Sequence, residues 1–166
     1  MVKALEIYKN KTVLITGDTG FKGSWLSSWL LSLGANVFGY SLEPKTNKDN
    51  YVICNLKNKY KTLISDIRDF EALYDYVQKI QPEFIFHLAA QPLVLDSYKD
   101  PVETFTTNVM GTLNILEVAR KTSSIKSIVN VTTDKCYDNK EWIYGYREID
   151  PLGGKDPYSA SKACSE

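Results

Sequence analysis

Five short apolar runs along the chain have the length and composition of β-strands. They are rich in β-branched and aromatic residues, and they are bounded by small, polar or turn-forming residues. The predicted strands span residues 11–16, 36–42, 62–65, 83–90 and 127–133. Residues 83–90 are almost entirely apolar, which indicates a strand that is covered on both faces of the sheet.

Between these runs, apolar residues recur at the spacing of a helix. The first predicted helix follows Gly23 and ends at Gly34, since glycine often terminates helices. Its apolar face comprises Trp25, Leu26, Trp29, Leu30 and Leu33. Residues 43–60 are polar and rich in lysine and asparagine, so we predict a surface loop there.

Aspartates mark the starts of the later helices. Asp69 can cap a helix that continues to Ile80 and that Pro82 blocks. Asp100-Pro101 and Asp156-Pro157 combine a capping residue with a proline at the first helical position. The helix from Pro101 has an apolar face of Val102, Phe105, Val109, Leu113 and Leu116. Residues 138–155 are predicted as a loop before the last helix.

The alternation of strands and helices indicates βαβ units, and therefore a parallel sheet. Right-handed crossovers between the strands give a doubly wound sheet with the strand order 3-2-1-4-5. The fold class that we predict is thus α/β, of the Rossmann-like type that binds dinucleotides.

Composition excludes several classes of partner. The 166 residues carry 43% hydrophobic and 24% charged residues and a formal net charge of zero, without a basic stripe, so we expect no nucleic-acid partner. No apolar stretch reaches membrane-spanning length, and the segment from Met1 has no apolar region typical of a signal peptide. The spacing of Cys54, Cys136 and Cys164 matches no zinc site, so we expect no metal and reduced thiols in a cytoplasmic protein.

A glycine-rich turn lies between the first predicted strand and the first predicted helix. Gly17 permits a tight turn, Gly20 leaves room for a pyrophosphate near the backbone, and Gly23 lets the helix pack closely on the sheet. The helix N-terminus adds unpaired N–H groups and a positive partial charge. A glycine turn without a ligand is the alternative, but the flanking strand and helix make it the weaker interpretation.

Tyr158 and Lys162 form a Tyr-x-x-x-Lys pair on the last predicted helix. Residues four apart share one face of a helix, and an ammonium beside a phenol favours the phenolate. We therefore expect Lys162 to lower the pKa of Tyr158 and make it a base. By itself this pattern is common on surface helices; it gains weight from Thr132-Thr133-Asp134-Lys135, which begins at the C-terminal end of the fifth predicted strand.

These motifs resemble the extended short-chain dehydrogenases that act on nucleotide sugars. The glycine spacing G-x-x-G-x-x-G is typical of that family. The segments TGDTGFKGSWL (16–26), HLAAQPLV (87–94), TTDKCYDNKEW (132–142) and GYREIDPLGGKDPYSASK (145–162) are similar to the CDP-glucose 4,6-dehydratases in particular. The resemblance covers almost the whole chain, and Lys22 stands where most relatives have an aliphatic residue.

The resemblance implies NAD as cofactor and assigns its contacts. The expected cofactor-binding residues are Gly17, Gly20, Phe21, Lys22, Gly23, Ser41, Asp66, Ile67, Ala89, Ala90, Tyr158 and Lys162. Among them, Asp66 matches the residue that binds the adenine amino group. Ser41 occupies the position of the usual ribose-binding acid and does not exclude a 2′-phosphate, which leaves NADP open. Glu43 can take the acidic role instead, and Lys45 can attract a phosphate.

The resemblance also implies the chemistry of a sugar-nucleotide dehydratase acting on CDP-glucose. Thr133 is expected to hydrogen-bond the sugar 4-hydroxyl, and Asp134 to protonate the leaving 6-hydroxyl. Lys135 stands where many relatives have a glutamate base for the C5 proton. A lysine base must be neutral, so an alternative is that Lys135 binds substrate charge while another group removes the proton.

Three further polar residues have expected roles. Gln91 is expected to face the substrate. Asn108 is a candidate to support the turns after strands 4 and 5, with a polar helix cap as an equal alternative. His87, the only histidine, lies inside an apolar strand, and we expect it to be structural and not catalytic.

The sequence leaves more than one function open. The remaining strands and the C-terminal substrate domain of the family are absent from residues 1–166. We therefore expect an incomplete dinucleotide-binding domain that is inactive alone, and a homodimer in the full-length form. A non-catalytic nucleotide-binding module and a UDP-sugar epimerase are the alternatives. Thr133-Asp134-Lys135 argues against an epimerase, which eliminates no water.

Overall fold

The computed structural model describes residues 3–166, which fold around a five-stranded parallel sheet with the strand order β3-β2-β1-β4-β5. The strands are β1 (Thr12–Thr16), β2 (Asn36–Ser41), β3 (Lys61–Ile64), β4 (Phe84–His87) and β5 (Ser127–Asn130). The structure thus confirms the predicted α/β fold class and the predicted strand order. Met1 and Val2, the start of the segment in which we expected no signal peptide, lie outside the described residues.

Helices cover both faces of the sheet. Their bounds are α1 (Phe21–Ser32), α2 (Asn50–Ile53), α3 (Phe70–Ile80), α4 (Val94–Lys99), α5 (Pro101–Phe105), α6 (Gly111–Arg120) and α7 (Pro157–Ala163). A π-helical turn, Thr106–Met110, joins α5 to α6, and 3-10 turns span Lys3–Tyr8, Leu56–Asn58 and Asp134–Cys136. No helix among these residues is long and apolar enough to cross a membrane.

Alternate residues of β1 supply two separate cores. Val13 and Ile15 pack with α1, α2 and the Tyr60 ring on one face of the sheet. Leu14 points to the other face and packs with Leu73 of α3 and with residues of α6. Because both faces of β1 are buried, its run of apolar residues is continuous and does not alternate.

The three predicted aspartate caps form. Asp69 Oδ1 accepts a hydrogen bond from the Ala72 N–H at 3.0 Å, and Asp100 Oδ1 accepts one from the Glu103 N–H at 2.8 Å. Asp156 accepts from the Ser159 N–H at 2.9 Å, with Pro157 at the first helical position. Each bond satisfies a backbone donor that the start of a helix leaves unpaired.

The predicted apolar faces of α1 and of α5–α6 are exposed over much of their length, although Leu30 of α1 is buried in the core. Trp25 and Trp29 of α1 are 57% and 53% exposed, whereas Gly23, Ser24 and Ser27 are buried. The small residues let α1 approach the sheet closely. The Ser27 hydroxyl donates to the Gly23 carbonyl at 2.8 Å, so burial of Ser27 leaves no unpaired hydroxyl donor. The helix α5–α6 buries Thr104 and Thr112 together with the core residues Ile115 and Val118, whereas Val102, Leu113 and Leu116 of the predicted face are exposed.

Short elements account for the other differences. The segment predicted as a loop over residues 43–60 contains α2 and the 3-10 turn Leu56–Asn58, and the unpredicted α4 follows β4. Strands β4 and β5 are shorter than the apolar runs that predicted them, because the chain leaves the sheet after His87 and after Asn130, before those runs end. Helices of four to six residues contain too few turns to produce a periodic pattern.

Candidate cofactor and catalytic site

Most of the predicted site residues meet in a cleft of about 670 Å³ at the carboxyl ends of the strands. Parallel α/β sheets place their binding sites at this edge. Residues predicted for the site that line the cleft are Gly17, Gly20, Phe21, Lys22, Gly23, Ser41, Asp66, Ile67, Ala89, Ala90, Gln91, Tyr158 and Lys162. A larger cavity of about 1010 Å³ lies at the β3 edge, away from the glycine turn and from Tyr158.

Two glycines of the turn have no room for a side chain. Gly17 has φ +75°, and a Cβ there would lie 2.8 Å from the Ala89 nitrogen. A Cβ on Gly23 would lie 2.2 Å from the Gly17 carbonyl oxygen, so the start of α1 rests directly on the turn. Gly20 differs, because its nearest neighbour is 3.2 Å away and its open side lies along the cleft.

The first turn of α1 presents free backbone donors. Gly20 precedes the helix and has no side chain to cap it. Among the described residues, the N–H groups of Phe21, Lys22 and Gly23 find no backbone acceptor, whereas the Ser24 N–H already bonds to the Gly20 carbonyl. Unpaired N–H groups at a helix start, beside a glycine, form an anion-binding cradle.

Ser41 at the end of β2 lies in the cleft and is buried. The Thr19 hydroxyl donates to the Leu42 carbonyl at 2.9 Å, so its oxygen accepts the Ser41 hydroxyl proton at 2.8 Å. The Ser41 oxygen keeps lone pairs for a ribose hydroxyl but has no proton left to donate. Glu43 and Lys45, the alternative ribose and phosphate contacts, also line the cleft.

Asp66 is held by its neighbour Arg68. The guanidinium Nε donates to the carboxylate at 2.9 Å, and the Arg68 N–H donates at 2.9 Å. These bonds lower the pKa of Asp66, so it is ionised and fixed in direction. Arg68 was not predicted from the sequence, and its charge brings a cation into the part of the cleft where the adenosine end was expected.

His87 joins β1 to α6 through its two ring nitrogens. The Thr16 oxygen accepts from the Leu88 and Ala89 N–H groups, each at 3.2 Å, so its hydroxyl donates to His87 Nδ1 at 2.7 Å. Nε2 then carries the proton and faces the Thr112 hydroxyl oxygen at 3.3 Å. Burial lowers the pKa of His87 to about 3, which agrees with the expected structural role.

Asn108 lies in the π-helical turn and fastens the loop after β4. Its Oδ1 accepts from the Gln91 N–H at 2.8 Å, and its Nδ2 donates to the Gln91 carbonyl and to the Ser161 hydroxyl of α7. It therefore supports the turn after β4 and helix α7; it is neither a helix cap nor a support of the β5 turn. The Gln91 amide bonds internally to Leu93 and Thr104, so it is fixed along the cleft wall.

Tyr158 and Lys162 share one face of α7, but they do not interact as we expected. Lys162 is buried, and its ammonium donates to the Val131 carbonyl at 2.7 Å. Burial lowers the pKa of Lys162. Burial also raises the pKa of Tyr158, with the Thr133 hydroxyl opposing the change and Asp134 adding to it. The expectation that Lys162 lowers the Tyr158 pKa is therefore wrong for the protein alone.

Thr133, Asp134 and Lys135 lie just outside the cleft wall. The Thr133 hydroxyl donates to Asp134 Oδ1 at 3.1 Å and caps the 3-10 turn Asp134–Cys136. Asp134 and Lys135 are both exposed. The side chain of Lys135 extends into solvent and forms no ion pair with any residue of 3–166.

The fold and the cleft define a nucleotide-binding domain of the short-chain dehydrogenase type, since the glycine turn and the Tyr158–Lys162 pair face the same space at the strand ends. The sequence profile of the GDP-mannose 4,6 dehydratase family matches residues 14–166, and the chain belongs to that family.

Individual relatives agree with this assignment. The chain is 52% identical over 159 residues to a CDP-glucose 4,6-dehydratase of Salmonella typhimurium, covering 96% of the chain and 44% of that protein. Among solved structures, a UDP-glucose 4-epimerase from Thermus thermophilus, in complex with NAD, is 30% identical with a TM-score of 0.80. The match covers 93% of this chain and 48% of the epimerase chain. The epimerase Mth375 from Methanothermobacter thermautotrophicus is 25% identical with a TM-score of 0.85, covering 99% and 48%. The chain thus spans about half the length of these relatives.

Proposed function

We propose that this chain is the NAD-binding part of a sugar-nucleotide dehydratase that converts CDP-glucose to CDP-4-keto-6-deoxyglucose and water. One observation carries the proposal: a single cleft joins the glycine turn to Tyr158 and Lys162. The 52% identity to a CDP-glucose 4,6-dehydratase supports the choice of substrate. The neighbouring epimerase that was solved with NAD supports the choice of cofactor.

The residues of the cleft fit a dinucleotide. The free N–H groups at the start of α1 and the open side of Gly20 suit a pyrophosphate. Ser41 and the ionised Asp66 suit the ribose and adenine of the adenosine half, and Ala89 and Ala90 line the path toward α7. When bound, NAD supplies a positively charged ring that accepts a hydride from sugar C4 and returns one to C6.

Within the site, Tyr158 removes the proton of the sugar 4-hydroxyl. This role needs the phenolate, which burial disfavours in the protein alone, so cationic charge must approach the phenol when the cleft is filled. Lys162, one turn further along α7, is the protein's own cation at this point and holds the ribose next to the reacting ring. Its bond to the Val131 carbonyl keeps the ammonium in place.

The elimination of water is assigned to the segment after β5. Thr133 orients the 4-hydroxyl, Asp134 protonates the leaving 6-hydroxyl, and Lys135 removes the C5 proton. In the competing role, Lys135 binds substrate charge while Asp134 or a residue outside the chain acts as base. In a complete enzyme containing this chain, Lys135→Met should stop exchange of the C5 hydrogen with solvent deuterium. Persistent exchange at saturating substrate would remove Lys135 from the base role.

We also propose that residues 1–166 form an incomplete dinucleotide-binding domain, with the substrate-binding domain outside them. The relatives are about twice as long as the matched region, which supports this division. The 166-residue chain, incubated with NAD and CDP-glucose, should form little or no keto sugar. Robust turnover would refute the proposal that a substrate-binding domain outside residues 1–166 is required, whereas hexose epimerisation without water loss would favour the epimerase alternative.

Binding of NAD tests the cofactor proposal directly. Gly20→Val places a branched side chain on the open side of the turn and should abolish binding measured by calorimetry. Gly145→Val is the matched control, because Gly145 is an exposed loop residue with nothing within 4 Å of a Cβ. Equal affinities for the two variants would mean that the turn is merely structural.

A homodimer accounts for the outward apolar face of α5–α6. Val102, Leu113 and Leu116 are 71%, 54% and 44% exposed and follow helical spacing. A contiguous apolar face of this kind marks an interface in a soluble protein. In the full-length protein, Leu113→Lys should shift the sedimentation from dimer to monomer, while Ile53→Lys, a change at an exposed apolar residue on α2, should not.

The compartment proposed for the protein is the cytoplasm. The support is chemical, since Cys54, Cys136 and Cys164 are all free thiols, as is usual where the environment is reducing. Fractionation of cells of the source organism, with an antibody to the chain, tests this assignment.

A further inference from the structure

A buried aspartate lies within the glycine turn and takes no part in the chemistry described above. Asp18 follows Gly17 directly, yet its side chain turns away from the cleft and is fully buried. Its Oδ2 accepts hydrogen bonds from the Thr62 hydroxyl at 2.7 Å and the Tyr60 hydroxyl at 3.0 Å. Oδ1 accepts none from any described residue. A carboxyl in this setting is unusual, because buried charges are normally paired.

The strand beneath Asp18 leaves space for this carboxyl. Gly39 lies in the middle of β2, and a Cβ there would lie 2.2 Å from Asp18 Oδ2. Glycine in a strand interior is costly, and it is found where another group must approach the backbone closely. The carboxyl therefore rests on β2, and it links the glycine turn to β2 through packing and to β3 through the Thr62 hydroxyl.

We propose that Asp18 is a positioning residue of the dinucleotide cradle that works in its protonated form, so that NAD binding takes up a proton near neutral pH. This inference rests on the proposed NAD-binding function. Asp18 does not touch the ligand. It acts through the turn, because an ionised carboxylate behind the cradle repels the pyrophosphate across a dry, low-dielectric layer, whereas the neutral acid does not.

No cation neutralises this carboxylate. Asp18 forms no ion pair with any lysine or arginine in the part of the chain that the structure describes. Burial raises the pKa of Asp18 to about 6, although the hydrogen bonds from the Thr62 and Tyr60 hydroxyls favour the ionised form and so oppose this increase. The charge of the free protein therefore changes in the pH range where the pyrophosphate keeps its charge.

The other titratable groups around Asp18 do not change charge in that range. Tyr60, Tyr51 of α2 and Tyr76 of α3 face the carboxyl, and burial raises the pKa of all three, with the Asp18 charge adding to the effect. Tyr40 of β2 also has a pKa raised by burial. His87 stays neutral because burial lowers its pKa to about 3.

Charged residues on the surrounding elements lie farther out. Glu43 after β2, Lys61 of β3 and Lys79 of α3 line the exposed rim of the cavity at the β3 edge, and none of them bonds to Asp18. No charged side chain of α1 reaches the carboxyl either; from that helix the hydroxyl of Ser27 approaches Tyr60. Asp18 is thus the group that dominates titration beneath the turn.

The size of the effect follows from the chain geometry. Asp18 lies two residues from Gly20, which limits the separation of their Cα atoms to roughly 7 Å. Because the carboxyl turns away from the cleft, a unit charge at the cradle lies about 12 Å from it and disfavours the ionised form by about tenfold at the effective dielectric of protein sites. The Asp18 pKa should therefore rise by about one unit when NAD binds, and NAD affinity should fall about tenfold between about pH 5 and about pH 8.

Calorimetric titration of the 166-residue chain with NAD measures this linkage. Pairs of buffers with different ionisation enthalpies at about pH 6.5 should report uptake of about half a proton per NAD bound. Asp18→Asn keeps an oxygen acceptor for Thr62 and Tyr60 and cannot ionise. It should bind NAD with the acid-pH affinity of the wild type at every pH, without proton uptake. Asp75→Asn, the same change at an exposed site on α3, should behave as the wild type.

A second variant keeps the test informative if Asp18→Asn does not fold. Thr62→Val removes the shorter hydrogen bond to the carboxylate and should move the midpoint of the pH dependence to higher pH. If the wild type binds NAD with the same affinity at every pH and without proton uptake, the proposed role of Asp18 is refuted while the proposed cofactor stands. A pH dependence that survives in Asp18→Asn would do the same. Failure of the wild type to bind NAD at any pH would instead refute the proposed cofactor, and this inference with it.

Discussion

Asp18→Asn should stabilise the folded chain, and the gain should grow as the pH rises. Burial raises the pKa of Asp18 from 3.8 to about 6, so between these values the folded state binds more protons than the unfolded state. The contribution of Asp18 to stability is therefore fully present below about pH 4 and is lost as the pH rises through about 6. A shift of about two units corresponds to roughly 3 kcal/mol in full, of which roughly 1.5 kcal/mol falls between about pH 5 and about pH 8.

Urea unfolding followed by circular dichroism at these two pH values measures the gain. The difference in unfolding free energy between Asp18→Asn and the wild type should be larger at the higher pH by roughly 1.5 kcal/mol. The exposed Asp75→Asn should show no such change. A difference that is constant with pH, or that shrinks as the pH rises, would refute the conclusion that the buried carboxyl prefers its neutral form. This measurement does not depend on NAD, so it separates the buried acid from its proposed effect on binding.

Three further predictions concern the support of the site. Gly23→Ala should destabilise the chain by about 1–3 kcal/mol in urea unfolding, because the added Cβ would collide with the Gly17 carbonyl and outweigh the higher helix propensity of alanine; an unchanged midpoint would contradict the close packing of α1. Asn108→Ala removes the bonds to Gln91 and Ser161 and should cost about 2–4 kcal/mol, with NAD binding weakened in parallel; native stability would show that the π-helical turn is held by other contacts. Lys162→Met should weaken NAD binding in calorimetry and leave the unfolding free energy nearly unchanged, since it removes a buried charge together with its bond to Val131; unchanged affinity would exclude Lys162 from the ribose contact.

Local patterns in the sequence were sufficient for the sheet and for the position of the cradle. The five apolar runs and the short connections determine the strand order 3-2-1-4-5, because right-handed crossovers leave few other arrangements. The three aspartate caps could be read from the residues themselves, since capping is an interaction between positions three residues apart. The glycine turn was recognisable for the same reason, as its function depends on backbone freedom within eight residues.

Burial of the helices could not be read from periodicity. Of the apolar face predicted for α1, Leu30 is buried but Trp25 and Trp29 are exposed, and the helix packs on the sheet largely through Gly23, Ser24 and Ser27. Hydropathy ranks side chains one at a time, whereas the distance between α1 and the sheet depends on which side chains are small enough to fit between them. The same selection turns the apolar face of α5–α6 outward, where a second copy of the chain is proposed to cover it.

The fold class, the family and many of the residues that line the cleft were thus available from the sequence alone, because they depend on local patterns and on motifs with fixed spacing. The pairing of the polar groups was not, and it emerged with the packed fold. Packing set Lys162 against the Val131 carbonyl, joined Asn108 to Gln91, and enclosed Asp18 between Gly39, Tyr60 and Thr62. Those partners are 17 to 44 residues apart in the chain. The pKa of a buried group depends on such distant neighbours and on the water that they exclude, and no local pattern in the sequence records either.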